Sequence, residues 1–464
     1  MTDQQRYDSL GCYGFRGVRT PNLDRMAAEG VVFENCYVNN PICTPSRASL
    51  FTGKHLPGHG VHRLYDILPD TEVLFSHRLR EAGYRTALFG KLHVSAFRHE
   101  IDHRHPNDGF EVFESCHEPS LLLDHVNNAY GRWLAATDPV FFKRLLAEGR
   151  NLRHVPREVH MTHWAAQRTI DFIQERRRSE PFFCMMSLFD PHNPYTDYPK
   201  EMEVHLNPAQ IPGPVGLGGD MSERPEAHRR EHAHGYCPFT RHSPDDLRDV
   251  RTGYFASIAL IDLEVGRVLS ALDESGLAGD TLVIFASDHG DMLGDHQLMV
   301  KGAFFYDPCV RVPLIMRWPA RMPAGRRIEA LVQLHDLAAT ILAAGGVEPD
   351  FLADVIPCAR DLAPLTVGET TAVHDQAVCL YRGSGIDEGN VYFDPPINGT
   401  MLRHDHWKLN LYHDPADAAR IIEGELYDMR ADPDELEDLW NSAAHRDVRR
   451  RLTEMLADWL ATHQ

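Results

Sequence analysis

The chain of 464 residues is 43% hydrophobic and 25% charged, an ordinary globular balance, and it is longer than one hydrophobic core usually grows, so one large domain with a smaller one is expected. Its formal net charge of −20 argues against non-specific nucleic-acid binding or attraction to an anionic membrane, and no apolar run reaches the ~18 residues that read as a membrane-spanning helix. Nine cysteines at irregular spacings (Cys12, Cys36, Cys43, Cys116, Cys184, Cys237, Cys309, Cys358, Cys379) form neither a disulfide framework nor a zinc ribbon, and read as the reduced set of a cytoplasmic protein.

The opening "MTDQQRYDSLGCYG" carries no signal peptide and is polar where an α/β domain would open on a strand, which raises the expectation that a native first strand lies outside this sequence. "NLDRMAAEG" then reads as a short helix and "VVFENCYV" as a strand. "EVLFSHRLREAG" has helical spacing and leads into the strand-like "YRTALFG", as the amphipathic "HMTHWAAQRTIDFIQERRR" leads into "PFFCMMSLF". The segment 200–243, rich in Pro, Gly and His, reads as a long surface loop or insertion. A long helix is expected from Ser243-Pro244, with serine as its cap and proline in its first turn. "TLVIFA" and "RVPLIMRWP" have the pattern of buried strands. This alternation predicts an α/β domain over 1–369, a large, mainly parallel sheet sandwiched by helices. From about residue 370, "AVCLYR", "TMLRHDHWKLNLY", "GELYDM" and the final amphipathic "HRDVRRRLTEMLADWLATH" predict a smaller α+β unit over 370–464.

Sites in open α/β sheets form beyond the carboxyl ends of strands, so polar clusters directly after strands are the candidates. Asp288 and His289 in "SDHG" follow "TLVIFA", and a carboxylate beside an imidazole suits a divalent metal such as Ca²⁺, Mg²⁺ or Mn²⁺. Asp3 and Gln4 offer another carboxylate and an amide oxygen. Lys91 and His93 follow "YRTALF", His192 sits between prolines in "FDPHNP", and Lys301 lies in "MVKG". Each of these has a bland reading as a solvated surface group or a structural turn. Cys43 in "NNPICTPSRASLFTG" is harder to dismiss. A Cys-x5-Arg phosphatase loop fails because position 49 is Ser49. A zinc site lacks companion cysteines, and the odd count disfavours a disulfide.

"CTPSRASLFTG" resembles the sulfatase signature Cys-x-Pro-Ser-Arg followed by Leu-x-Thr-Gly, in which the cysteine is converted to Cα-formylglycine by a dedicated generating enzyme. "TPNLDRMAAEGVVFENCYV", "GYRTALFGKLH", "FFCMMSLFDPHNP", "SDHGDMLGDH", "VRVPLIMRWP" and "HWKLNLY…ELYDMRADPDELEDLW" resemble further sulfatase segments in the family's order, so the likeness covers nearly the whole chain. It implies the alkaline phosphatase superfamily fold and a hydrolase of sulfate monoesters. The formylglycine from Cys43, hydrated to a gem-diol, would attack sulfur; the alcohol would leave, and the second hydroxyl would expel sulfate. The metal, Ca²⁺ by preference, would rest on Asp3, Asp288, His289 and position 43, with Gln4 as a further ligand. Arg47 would brace this group, and Lys91 and Lys301 would neutralise the sulfate oxygens. His93 would take the diol proton, His192 with Lys301 would protonate the leaving oxygen, and His296 would line the site. The Asp-Gln and Asp-His pairs are similar to those of choline sulfatases and phosphonate monoester hydrolases. The latter tend to Cys-x-Pro-Ala-Arg where this chain has Ser46, which tilts the reading to a sulfatase. Phosphonate hydrolysis, an inactive anion-binding protein and an unmodified Cys43 thiol acting as nucleophile remain the competing readings.

Overall fold

A computed structural model describes residues 1–175, 180–348, 352, 354–383, 385 and 391–463. Among the described residues the large domain holds seven strands: β1 (Val31–Tyr37), β2 (Arg85–Gly90), β3 (Val112–Ser115), β4 (Phe182–Ser187), β5 (Val283–Ala286), β6 (Arg311–Arg317) and β7 (Arg326–Gln333). They form one sheet of order β3-β2-β4 and another of order β5-β6-β1-β7. Residues 1–3 join them. Met1 N donates to Met186 O (2.8 Å) and Leu188 N to Met1 O (2.9 Å), while Thr2 N donates to Ala286 O (2.9 Å) and Asp288 N to Thr2 O (3.3 Å). The composite sheet is mainly parallel, with β6 antiparallel to both of its neighbours. Strand direction is invisible to a hydrophobic pattern that is apolar on both faces.

Helices cover the sheet, among them α1 (Pro21–Ala28), α2 (Cys43–Thr52), α3 (Phe75–Glu81), α4 (Met161–Glu175), α5 (Pro244–Glu274) and α6 (Asp336–Ala344). Ser243 and Asp246 close a reciprocal capping box at the start of α5, so the expected long helix begins where its cap chemistry places it. The predicted helix in "HMTHWAAQRTIDFIQERRR" is α4, and positions 176–178 of that prediction lie outside the described residues. The segment 200–243 is more than a surface loop. It carries a helix at Glu226–His234 that buries Ala227, His228 and Glu231, and Val18 bridges Leu206. The antiparallel sheet β8 (Gln376–Gly383), β9 (Ile397–His404), β10 (Trp407–Asp414) and β11 (Asp417–Asp428) has the order β11-β10-β9-β8. Helix α7 (Arg446–Thr462) sets Leu452 and Leu456 against Leu402, Leu409 and Leu426 of that sheet. All nine cysteines are free, and no described helix is long and apolar enough to cross a membrane.

One feature of the core runs against this regularity. An open channel of ≈710 Å³ lies beside Met1, lined by Phe182, Cys184 and Met185 of β4, by Val283 and Ile284 of β5, and by Ile173 and Leu272 of the covering helices.

Buried histidines make the fold sensitive to acid. His228 lies between Tyr412 Oη (2.7 Å) and Tyr306 Oη (3.4 Å), and burial pushes its imidazole down to about 3 from 6.5. The unfolded chain takes up that proton below about pH 6.5 while the folded one does so only near 3, so stability falls as pH drops through this window. The melting temperature is expected to fall by several degrees between pH 6.5 and 4, with a shallower slope in His228→Gln, read by thermal scans across pH.

Candidate functional site

Three strand ends, residues 1–3 and one helix start converge on a single point. Cys43 opens α2, and its Sγ lies 3.1 Å from His289 Nε2 and 3.7 Å from Asp3 Oδ1. The donor atoms of Asp3, Cys43, Asp288 and His289 all lie within 4.8 Å of one another, and all four residues are buried. Their residue types fit a divalent cation, and the local geometry supports that fit. His289 Nδ1 donates to Gly290 O (2.9 Å), which leaves the Nε2 lone pair facing Asp3 Oδ1 (3.6 Å) and Asp288 Oδ1 (3.7 Å). Burial would push this imidazole down, but Asp288 and Cys43 hold it above its usual value. Gly290 is required by close approach, since a Cβ there would lie 1.9 Å from Pro308 O.

Arg47, one helical turn beyond Cys43, braces the group. Its Nε donates to Asp288 Oδ2 (2.7 Å), one terminal nitrogen donates to Lys91 O (2.9 Å) and Ser187 Oγ (3.0 Å), and the other faces Asp3 Oδ2 at 3.6 Å. The guanidinium therefore ties the ends of β2 and β4 to both carboxylates. Ser46 Oγ adds a bond to Asp288 O (2.6 Å). Lys91 Nζ bonds Asp3 Oδ2 directly. Despite burial, Lys91, Lys301 and Arg47 hold the Asp3 carboxyl well below the ordinary carboxylate range. Gly90 lets the chain turn here, at φ 112° and with Ser187 O where a Cβ would fall.

Lys301 Nζ donates to Gln4 Oε1 (2.7 Å) and to His192 Nε2 (2.6 Å). His192 Nδ1 donates to Asn193 O (2.8 Å), so this ring is an acceptor towards Lys301. Burial and the lysine hold it well below 6.5. Burial would lower Lys301, but Cys43, Asp3 and Asp288 hold it above the ordinary lysine value. Burial and Asp3 push the Cys43 thiol up, while Lys301, Lys91 and His289 outweigh them and leave it below the usual thiol value. His93 adopts a positive φ of 58°, its Nε2 pairs with Thr44 Oγ1 (3.1 Å), and burial with Lys91 keeps it neutral.

Two predicted residues have other surroundings. The Gln4 amide oxygen is taken by Lys301, and its nitrogen donates to Asp291 Oδ2 (2.6 Å) and Tyr195 Oη (3.2 Å). His296 stacks on Tyr306 at 3.8 Å and packs beside Gly216, and none of its described contacts is to the group around Cys43. Asp291, Tyr195, Ser187 and Glu100 were not anticipated. Glu100 accepts from the backbone of His93, Val94 and Ser95 and from His117 Nε2 (2.6 Å), fixing the loop that carries His93. Asp291 sits three residues after Asp288 in the quoted "SDHGD", the one sequence signal that could have singled it out.

The family model described as Sulfatase matches residues 1–347, and the one described as N-sulphoglucosamine sulphohydrolase, C-terminal, matches residues 294–462. An arylsulfatase of Clostridium perfringens is 31% identical over 74% of this chain and 73% of its own length. An N-acetylglucosamine-6-O-sulfatase of Bacteroides thetaiotaomicron is 26% identical over 99% of this chain and 85% of its own. Among solved structures, the phosphonate monoester hydrolase of Silicibacter pomeroyi superposes with a TM-score of 0.82 at 22% identity, covering 100% of this chain and 94% of that one, a likeness of fold.

Proposed function

The chain belongs to the sulfatase family, and from that premise we propose that it hydrolyses the sulfate monoester of a carbohydrate, with Cys43, as formylglycine, carrying the nucleophile. It is a sulfuric ester hydrolase of the alkaline phosphatase superfamily, whose sulfatases generally use a divalent metal and formylglycine. The observation that carries the residue assignment is the convergence of Asp3, Cys43, Asp288 and His289, ringed by Arg47, Lys91 and Lys301. Asp3, Asp288, His289 and the group at position 43 would hold the cation, and two carboxylates favour Ca²⁺ over softer ions. When bound, the cation supplies Lewis-acid polarisation of the oxygen at position 43.

The chain's own residues divide the remaining work. Lys91 and Lys301 bring two ammonium groups to face the transferred sulfate, so local cations act within a chain of net charge −20. Lys301, which holds its proton, is the donor to the leaving oxygen, and His192 Nε2 accepts from it and fixes its direction. His93 is kept neutral, and because its Nε2 is turned to Thr44 Oγ1, itself a donor to Leu64 O, Nδ1 is the nitrogen left to accept the proton that lets sulfate depart. Arg47 positions Asp3 and Asp288 without facing substrate. A sugar leaving group is supported by the relative that acts on N-acetylglucosamine 6-sulfate, and by polar groups beyond His192, where Arg150 pairs with Glu118 and Tyr236 Oη.

The test is sulfate release from glucosamine 6-sulfate and from an aryl sulfate, against turnover of a matched aryl phosphonate, by protein made with a formylglycine-generating enzyme. Sulfate turnover should exceed phosphonate turnover, disappear on chelation and return best with Ca²⁺. A sulfate rate far below the phosphonate rate would overturn the assignment in favour of the phosphonate reading, which the Asp3-Gln4 and Asp288-His289 pairs support.

A further inference from the structure

We infer that His55, Cys358 and His463 form a second metal site, a zinc clasp that fastens helix α7 to the large domain. It lies apart from the group around Cys43 and is independent of the proposed activity.

One ligand atom from each of the three residues lies within 4.8 Å of the others. They come from three separate parts of the chain. His55 follows Gly53, the cap of α2, and opens the short helix Leu56–His59; Cys358 stands in a turn ahead of the helix Ala363–Val367; His463 caps α7. A thiolate with two imidazoles and no carboxylate is a borderline-to-soft donor set, which suits Zn²⁺. The group around Cys43, with two carboxylates, suits a harder cation. Zinc bonds of ~2.0–2.3 Å set tetrahedral ligand separations of ~3.3–3.8 Å, so a contraction of about an ångström completes the clasp. Three protein ligands leave the fourth position to water, on the side where Cys358 and His463 are half-buried.

The surroundings are built to hold these ligands. His463 Nδ1 donates to Trp459 O (2.9 Å), which fixes its tautomer and leaves the Nε2 lone pair free to bind. Its ring stacks on Trp459 at 4.3 Å, and His55 meets Trp459 and His463 at 4.8 and 5.5 Å. Cys358 Sγ takes a hydrogen bond from the His55 backbone N–H, a contact that favours the thiolate. Asn39 stands 3.0 Å from His55 Nδ1 and 3.0 Å from His335 Nδ1, and its Oδ1 is buried without a partner. Turned over, that amide offers its oxygen to His55 Nδ1, the tautomer that presents Nε2 to a metal. The neighbouring acid is engaged elsewhere: Asp336 accepts from the backbone of Gln333 and Arg360 and from His374 Nε2. His335 Nε2 donates to Cys358 O (3.3 Å), tying the Cys358 turn to α6. Leu56, next to His55, packs with Leu452 and Leu456 of α7, so the ion would add a coordinate link where the large domain already meets that helix. Its binding free energy would then appear as folding stability.

The test uses the 464-residue protein carrying Cys43→Ala, in excess Ca²⁺, so that an ion near Asp3 has no thiolate to report on. Co²⁺ is titrated as the spectroscopic probe and Zn²⁺ as its competitor. One equivalent of Co²⁺ should raise a thiolate-to-cobalt charge-transfer band that Zn²⁺ abolishes, and Zn²⁺ should raise the melting temperature by several degrees. Adding Cys358→Ser should remove the band. His463→Gln, at the half-buried end of α7, should melt as the parent does without zinc, bind Zn²⁺ ~10²-fold more weakly and lose the zinc-dependent rise. Absence of the band in the Cys43→Ala protein would overturn the proposal. So would a band and a melting rise that survive both substitutions, since another thiol would then hold the ion.

Discussion

Cys43→Ala is expected to lower kcat/KM for sulfate esters by ~10⁴-fold or more while leaving the fold in place, because a covalent nucleophile has no substitute in the site. The Sγ atom contacts His289 at 3.1 Å and Asp3 at 3.7 Å and takes a hydrogen bond from Lys301, and its loss should cost ~1 kcal/mol of stability as a small cavity. Sulfate release and a thermal scan on the same preparation separate the two effects. Mass spectrometry of the tryptic peptide Met26–Arg47 supplies the chemical half. That peptide carries Cys36 as well, a buried thiol pushed far up by desolvation and expected to stay unmodified. Aldehyde at Cys43 alone would support the assignment. A Cys43→Ser protein with full turnover would remove both the aldehyde and the thiol from the mechanism.

Arg47→Ala should be the most damaging substitution to the framework. It strips the guanidinium brace from Asp288 and leaves Asp3 with Lys91 as its remaining close cation, in surroundings where none of these side chains reaches solvent beyond a few per cent. Breaking one partner from a buried charge network costs ~3–5 kcal/mol, since the carboxylates stay behind uncompensated. A lower denaturation midpoint than in Cys43→Ala, partly recovered by excess Ca²⁺, is the expected pattern. Arg47→Lys keeps the charge but cannot reach Asp288, Lys91 O and Ser187 together, so it should recover only a fraction. A midpoint unchanged in Arg47→Ala would mean that the carboxylates are held by something else.

Much of the candidate site was legible because of where its members stand relative to strands. Asp288 and His289 follow β5, Lys91 and His93 follow β2, and His192 follows β4, so a rule about strand ends gathers them from the sequence. What stayed hidden was set by partners far along the chain. The pairing of Gln4 with Asp291 and Lys301 spans nearly 300 residues, and nothing local to "TDQQ" announces it. His296 stands only eight residues after Asp288, yet a turn with positive φ at Leu293 and His296 swings it onto Tyr306. The antiparallel run of β6 and the helix inside 200–243 were likewise unreadable, the first because apolar patterning carries no direction, the second because its burial comes from His228 and Glu231 rather than from an apolar stripe.

Residues 1–3 have a consequence beyond their place in the sheet. Asp3 donates its backbone N–H to Asp190 O (3.2 Å), while its carboxylate faces Cys43 and His289 one residue after the last rung bonded to β5. Order in that short strand and affinity for a cation at the carboxylate are therefore two faces of one linked equilibrium. Reciprocity requires that whatever factor the ordered strand adds to ion affinity, the ion returns to the ordering of the strand. A change confined to the far, apolar half of the sheet would then be felt as a change in metal dissociation constant, with no ligand altered.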